Sequence, residues 1–376
     1  MPMPEFSTLD RAIDNAIAER RIVGTVVVVL RDGDVVYRRA AGLADREAAR
    51  PMDAGLVFRL ASLTKPIVTA AAMHFVEAGE LRLDDPVTRY LPDFQPALPD
   101  GSRPPISIEQ LMTHTSGLDY GFMQEPGGAY ARLGISDGLD RRDFDLAENL
   151  RRLATAPLGS VPGTAFHYSL GMDVIGAVLE RIAGESLGAI VARLVTQPLG
   201  MTDTAFVATE PARLVRPYMD GAPEPVAMVD GSMIGSAIYS PSRALDPTAY
   251  PSGGAGMVGT AADMLTFFEA MRIGGGGILR PDTLAEMTHD RLGAWAQADG
   301  PGWGFGLGWA VLVDPAAAET PQAAGTLQWN GAYGHNWFID PANRLTVLVL
   351  TNTALEGTWG QFKADVRDAV YAGLAQ

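Results

Sequence analysis

Apolar residues recur every fourth position between Thr8 and Arg20, at Leu9, Ile13 and Ile17, and predict an amphipathic helix near the head of the chain. A valine-rich run follows. Residues 25–30 and 35–37 flank Asp32-Gly33, a dipeptide suited to positive φ, and together predict a β-hairpin. The first of these strands is apolar at every position from Val26 to Leu30, as a central strand buried on both faces would be. Strand patterns then largely stop for two hundred residues. Helical spacing predicts helices over 65–77, 108–111, 145–154, 171–183, 187–194 and 263–271, separated by stretches rich in proline and glycine, and 274–277 reads as a flexible glycine loop. Strands return at 308–313, 326–329, 333–339 and 345–350, and a helix over 361–374 closes the chain.

Strands at both ends with helices between them predict an α/β protein of the α+β type. One antiparallel sheet is built from the two chain ends, flanked by the N- and C-terminal helices, with a mostly helical domain inserted. The boundaries implied are 1–80 with 255–376 for the sheet domain and 81–254 for the insertion, with an active site in the cleft between them. A chain of 376 residues can bury such a core without disulfides or metals.

Composition narrows the chemistry. There are no cysteines, which removes thiolate nucleophiles, thiolate zinc sites and iron–sulfur clusters. The five histidines, at 74, 114, 167, 289 and 335, form no H-E-x-x-H pair and do not cluster as ligands, so no metal and no cofactor is expected. A net charge of −15 disfavours nucleic acid and anionic membrane surfaces as partners. The chain opens with no basic segment leading into an apolar stretch, so no signal peptide is visible and a cytoplasmic location is expected. Of 29 cationic residues only Lys65 and Lys363 are lysine.

That scarcity draws attention to Ser62-Leu63-Thr64-Lys65 at the mouth of a predicted helix. Positions i and i+3 share a helix face, so the two side chains can meet. Free N–H groups at a helix start favour an alkoxide and an oxyanion. An amine can lose its proton when desolvated and arginine cannot, so lysine has a use here that the prevalent cation lacks. A cap serine beside a surface lysine is the plainer alternative; Lys363, on the terminal helix, reads as solvated. Tyr168, just before the helix at 171–183, could act as a base, but its free pKa near 10 requires a cation close by, and Lys65 is the candidate; otherwise it is a packed aromatic. The segment 328–337, QWNGAYGHNW, combines aromatics, amides and glycines on a predicted strand whose backbone N–H groups could hold an oxyanion, or form a bulge over core tryptophans. A rival nucleophile is Ser186 in Gly184-Glu185-Ser186-Leu187-Gly188, but the strand–turn–helix context that such an elbow needs is absent, and Ser186 reads as a cap between two helices. His114, in a loop after a short helix, is uninformative alone, and His74 reads as structural.

Taken in order, these pieces resemble the serine β-lactamase and penicillin-binding protein superfamily, and within it the class C β-lactamase-like (family VIII) carboxylesterases. The S-x-x-K box is Ser62 to Lys65. Residues 111–118, LMTHTSGL, match the family's L-L-x-H-T-S-G-L, Tyr168-Ser169-Leu170 falls at the Y-x-N box, 197–201 match a recurring P-L-G-M, 253–256 resemble a G-G-x-x-S/G turn, and Trp329-Asn330-Gly331 falls at the K-T-G box. Leu170 in place of asparagine and Trp329 in place of a cation depart from β-lactamases and look like the esterase branch. Asn330 departs from that branch's W-G-G, and could narrow or polarise the cleft.

The resemblance implies a serine hydrolase of small or short-chain carboxylic esters. Ser62 would be acylated, with Tyr168, held as or near the phenolate by Lys65, taking and returning protons, or Lys65 doing so itself. The backbone N–H groups of Ser62 and Ala332 would form the oxyanion hole. Tyr120, Trp329, Asn330 and Gly331 would line the substrate pocket. The only partner implied is the small-molecule ester; the oligomeric state is left open. β-Lactamase or D-amino-acid peptidase activity, acyl transfer to an alcohol or amine, and a catalytically silent binding protein remain the alternatives.

Overall fold

The computed structural model describes residues 6–374; residues 1–5, part of the segment on which the leader expectation rests, lie outside it. An antiparallel sheet of eight strands runs in the order Trp303–Phe305, Ala310–Leu312, Leu327–Gly331, His335–Asp340, Leu345–Thr351, Gly24–Arg31, Asp34–Asp45, Arg50–Pro51. The N-terminal hairpin and the C-terminal strands are therefore one sheet. They join where Thr25 pairs with Thr351 and Arg31 with Leu345. The α+β sheet architecture expected from the sequence is the one observed.

The valine run explains the layers. Side chains alternate across a strand. Val27 and Val29, with Phe338, Val347 and Val349, meet Leu9, Ile13, Phe362, Val366 and Val370 of the helices Ser7–Ala18 and Gln361–Leu374, which pack on each other over this face. Val26 and Val28 point the other way, into a core shared with Leu348, Leu350, Trp337 and the helix Thr64–Glu77. Trp337 stacks on Phe268 of the helix Ala261–Arg272, ring centroids 4.1 Å apart. Both faces are covered, so no polar position interrupts the run.

The helix Thr64–Glu77 is buried at every position from Thr64 to Met73, as a helix at the centre of a large core must be. Around it lie Ile108–Met112, started by a Ser107–Gln110 capping box, Leu146–Leu153, capped by Asp145, and Gly171–Ala183, ended by left-handed Gly184. Ser186 caps Leu187–Val191 by accepting from the Ala189 N–H, and the segment before it is helix, so it is no nucleophile elbow.

Short elements escaped the sequence pattern. The helices Ala129–Leu133 and Ala354–Thr358, the edge strand Trp303–Phe305, and hairpins such as Ser232–Ile234 with Ala237–Tyr239 span too few residues to show a period, and the helix Pro281–Thr288 buries only Thr283, Leu284 and Met287. The helix expected over 187–194 is α-helical only to Val191 and widens into a π-helical stretch, Ala192–Thr196. The glycines at 274–277 form a turn closed by a bridge between Gly276 and Leu279. Among the described residues no helix is long and apolar enough to cross a membrane, and no group of three His, Asp or Glu side chains is placed to hold a metal ion.

Candidate active site

Ser62 sits in a 3₁₀ turn, Ala61–Leu63, that runs straight into the helix Thr64–Glu77. Ala61 before it holds φ of 46°, a left-handed conformation that costs a non-glycine residue about 1–3 kcal/mol and persists only where the surroundings impose it. Three contacts impose it. Phe58–Arg59 pairs with Val258–Gly259. The Thr64 hydroxyl accepts from the Met257 N–H at 3.1 Å. The Arg59 carbonyl accepts from His335 Nε2 at 2.8 Å. The strand Leu327–Gly331 closes the other side, so near that a β-carbon on Gly331 would lie 2.7 Å from the Leu60 carbonyl oxygen.

Tyr168 arrives from the segment leading into the helix Gly171–Ala183, and its hydroxyl lies 2.5 Å from Ser62 Oγ. Lys65, one helical turn after Ser62 and fully buried, places Nζ 3.1 Å from Ser62 Oγ, 2.5 Å from the Tyr168 hydroxyl, 3.0 Å from the Tyr120 hydroxyl and 2.9 Å from the Gly254 carbonyl. An ammonium has three hydrogens for these four neighbours. Either one hydrogen is shared or a neutral amine accepts from a hydroxyl, so both assignments of the base fit the contacts. Gly254 is needed for the approach: a β-carbon there would stand 2.6 Å from the Tyr120 hydroxyl and 2.7 Å from Asp173 Oδ2.

The remaining expected residues divide. Trp329 joins the site, its indole N–H donating to the Tyr168 hydroxyl at 3.3 Å and its ring 5.2 Å from the tyrosine ring. Gly331 meets the segment that carries Ser62, as above. Ala332 lies in the turn that follows, and neither its N–H nor that of Ser62 has a hydrogen-bond partner among the described residues. Tyr120 is not an open pocket wall: it is buried behind the lysine, and burial together with the neighbouring Tyr168 and Asp173 pushes its phenol well above the ordinary value, so it stays a neutral hydroxyl. Asn330 is not brought to the site. It alternates with Trp329, and its amide donates to Asp299 Oδ1 at 3.2 Å on the face covered by the terminal helix. Gln328 and Lys363 bind the same carboxylate, at 2.5 and 2.8 Å. Lys363 is thus half-buried in an ion pair and not the freely solvated side chain expected.

Three participants were not among the expected site residues, and for two of them, Gly254 and His114, the only signal was the family resemblance of the stretches that hold them. The Gly254 carbonyl is one. Asp173, near Lys65, is another: it is fully buried, and burial lifts its carboxyl to about 6, while the neighbouring Ser252 hydroxyl and then the Lys65 charge pull the other way. The third is His114, fully buried with its ring 4.8 Å from that of Tyr168. It belongs to the 111–118 stretch, whose only signal was the family resemblance. A hollow of about 1070 Å³ among charged residues such as Arg141, Asp145 and Asp246 lies elsewhere and contains none of these groups.

Set against known proteins, a family model described as Beta-lactamase matches residues 9–371. Esterase EstB from Burkholderia gladioli is 56% identical over 372 residues, covering 97% of this chain and 94% of that protein. A lovastatin esterase from Penicillium rubens is 28% identical over 374 residues, 90% of each chain. Among solved structures, EstCE1, described as a hydrolase with promiscuous acyltransferase activity, superposes with a TM-score of 0.94 at 50% identity, over 97% of both chains.

Proposed function

This chain belongs to the β-lactamase family, and from that premise we propose that it is a serine carboxylesterase acting on small or short-chain esters through an acyl-serine intermediate. The observation that carries the reading is the placement of a buried lysine amine within hydrogen-bond reach of both the Ser62 and Tyr168 hydroxyls, in a chain so similar to an esterase.

Ser62 Oγ attacks the ester carbonyl as its proton passes to the Tyr168 oxygen, 2.5 Å away. The carbonyl oxygen takes up the negative charge and lies against the unpaired N–H groups of Ser62 and Ala332, donors that cost no reorganisation at that moment. The ester C–O bond breaks, and the proton on Tyr168 goes to the departing alkoxide. Water then gives a proton to the same base and attacks the acyl carbon. The proton returns to Ser62 as the acid leaves. Lys65, in contact with both hydroxyls, holds this proton path together, or is itself the base. Such base and oxyanion contributions are each of order 10²–10⁴-fold. Trp329 stands where a β-lactamase would present a cation, which supports an ester over a carboxylate-bearing antibiotic.

A second reading, acyl transfer to an alcohol or amine, is favoured by the aromatic surround of Tyr168: Trp329 at 5.2 Å and Phe122 at 6.4 Å between ring centroids, with Phe305 behind Trp329. Apolar walls disfavour water relative to an organic acceptor. The proposal also takes 1–80 with 255–376 as one domain and 81–254 as the other, with the site in the cleft between them, a small ester as the sole partner, and a cytoplasmic location.

The test is intact-protein mass spectrometry after brief exposure to p-nitrophenyl butyrate and to nitrocefin. An acyl adduct from the ester on the wild type and none on Ser62→Ala is expected. Equal labelling of both proteins would overturn the nucleophile, and nitrocefin turnover exceeding ester turnover would overturn the substrate class. Added methanol diverting product into methyl ester would establish the transfer reading.

A further inference from the structure

His114 has no place in the proton path, yet it grips the segment on both sides of Tyr168. Its carbonyl accepts from the His167 N–H at 2.8 Å. Its Nδ1 faces both the backbone N–H and the hydroxyl of Ser169, each at 3.2 Å. To hold these two neighbours His114 adopts a left-handed φ of 56°, a second strained non-glycine residue at this site. Its ring is walled by those of Tyr168, Phe305 and Phe166, with centroids at 4.8, 5.3 and 6.0 Å.

The contacts fix the tautomer. Because Nδ1 accepts from a backbone N–H, the proton lies on Nε2, which has no hydrogen-bond partner and is enclosed by the aromatic rings. Burial and the nearby Lys65 charge both hold the imidazole well below its ordinary pKa, so the acceptor form persists across the working range. Protonating Nδ1 would break its bond from the Ser169 backbone N–H.

We propose that His114 is a positioning residue for the proton transfer assigned above to Tyr168: by fixing residues 167 and 169 it sets the tyrosine hydroxyl at once within reach of Ser62 Oγ and Lys65 Nζ. The inference rests on that assignment. A displacement of about 1 Å at a reacting atom can cost of order 10²-fold in rate while leaving substrate binding intact.

The test compares His114→Asn, His114→Gln and His114→Leu, alone and on a Tyr168→Phe background, with p-nitrophenyl butyrate turnover and thermal unfolding measured for each. Asparagine places its carbonyl oxygen where Nδ1 stands and tolerates a left-handed φ. Glutamine places its polar atoms farther out, and leucine has none. Expected are a kcat lowered by about 10- to 100-fold for Gln and Leu, with KM within about twofold, and most of kcat kept by Asn. Adding His114→Leu or His114→Gln to Tyr168→Phe costs no further activity, because the histidine acts only through the tyrosine. Asn and Gln behaving alike, or a loss that multiplies on the Tyr168→Phe background, overturns the proposal, and the Asn–Gln contrast decides it even if the leucine variant does not fold. Full activity in Tyr168→Phe alone would instead remove the role of Tyr168, a failure visible without any change at His114.

Discussion

The hydroxyls of Ser62 and Tyr168 stand 2.5 Å apart although 106 residues separate them in the chain. The tyrosine ring is held by packing against Trp329 and Tyr120, at 5.2 and 4.8 Å, so its position does not depend on its own hydroxyl. Tyr168→Phe therefore keeps the packing and loses the hydroxyl to which the proposed proton relay is assigned. Esterase kcat should fall by about 10²–10⁴-fold while unfolding in urea shifts by less than about 1 kcal/mol.

Lys65 offers a sharper contrast between function and stability. It is fully buried, and a buried amine that serves catalysis need not stabilise the fold. Lys65→Met should abolish turnover, by about 10²-fold or more, without lowering the melting temperature. Lys65→Arg should not restore activity, since a guanidinium neither fits between four close neighbours nor gives up a proton. Substantial activity in the arginine variant would show that a fixed charge suffices.

Gly254→Ala drives a methyl group to 2.6 Å from the Tyr120 hydroxyl and 2.7 Å from Asp173 Oδ2, both backing the lysine. A loss of about 1–3 kcal/mol in stability and of at least about tenfold in kcat is expected. Gly188→Ala is the control, because the nearest atom there, on Phe206, is 3.7 Å away and the position is helical. It should be neutral or slightly stabilising.

Lys363→Met tests the network behind the strand that carries Trp329. It leaves Asp299, whose side chain is 11% exposed, with Gln328 and Asn330 as its partners. The pair is partly solvated, so a loss of only about 1 kcal/mol is expected, with kcat unchanged because these groups lie on the face away from Tyr168.

His335 supplies a pH dependence. It is buried, its Nε2 donates to the Arg59 carbonyl, and burial lowers its pKa from 6.5 to about 4. Between those values the unfolded chain binds the proton and the folded one does not. Stability is therefore fully present above about pH 6.5 and is lost as pH falls toward about 4, by up to about 3 kcal/mol. Asp173, lifted to about 6, works in the opposite direction over part of the window but is present in both proteins compared. His335→Gln, able to keep the donated bond, should lose less stability than wild type between pH 7 and pH 4.5 in urea titrations. Parallel pH profiles would refute the buried neutral histidine.

The sequence made long elements legible and short ones not. The Val26–Leu30 run and the 361–374 helix could be read because an apolar face repeats over many residues. The edge strand Trp303–Phe305 could not, since three residues carry no period. For the site, Ser62 and Lys65 were readable because helix geometry alone brings i and i+3 together. Trp329 and Asn330 were read alike as pocket residues, and the period of two along their strand separates them: one side chain meets Tyr168, the other Asp299.

By itself, then, the sequence determined what is local or ordered along the chain: the two-ended sheet, the Ser-x-x-Lys turn, the absence of a thiol nucleophile, and the succession of boxes that resembles a family. Tertiary structure alone decided which groups meet across fifty residues or more. It turned Lys363 into half of an ion pair, put Tyr120 behind the lysine, brought the Gly254 carbonyl and Asp173 to it, and placed His114 against Tyr168. The physical reason is that a hydrogen bond depends on distance in space, and only the packed core fixes the distance between segments that no local geometry connects.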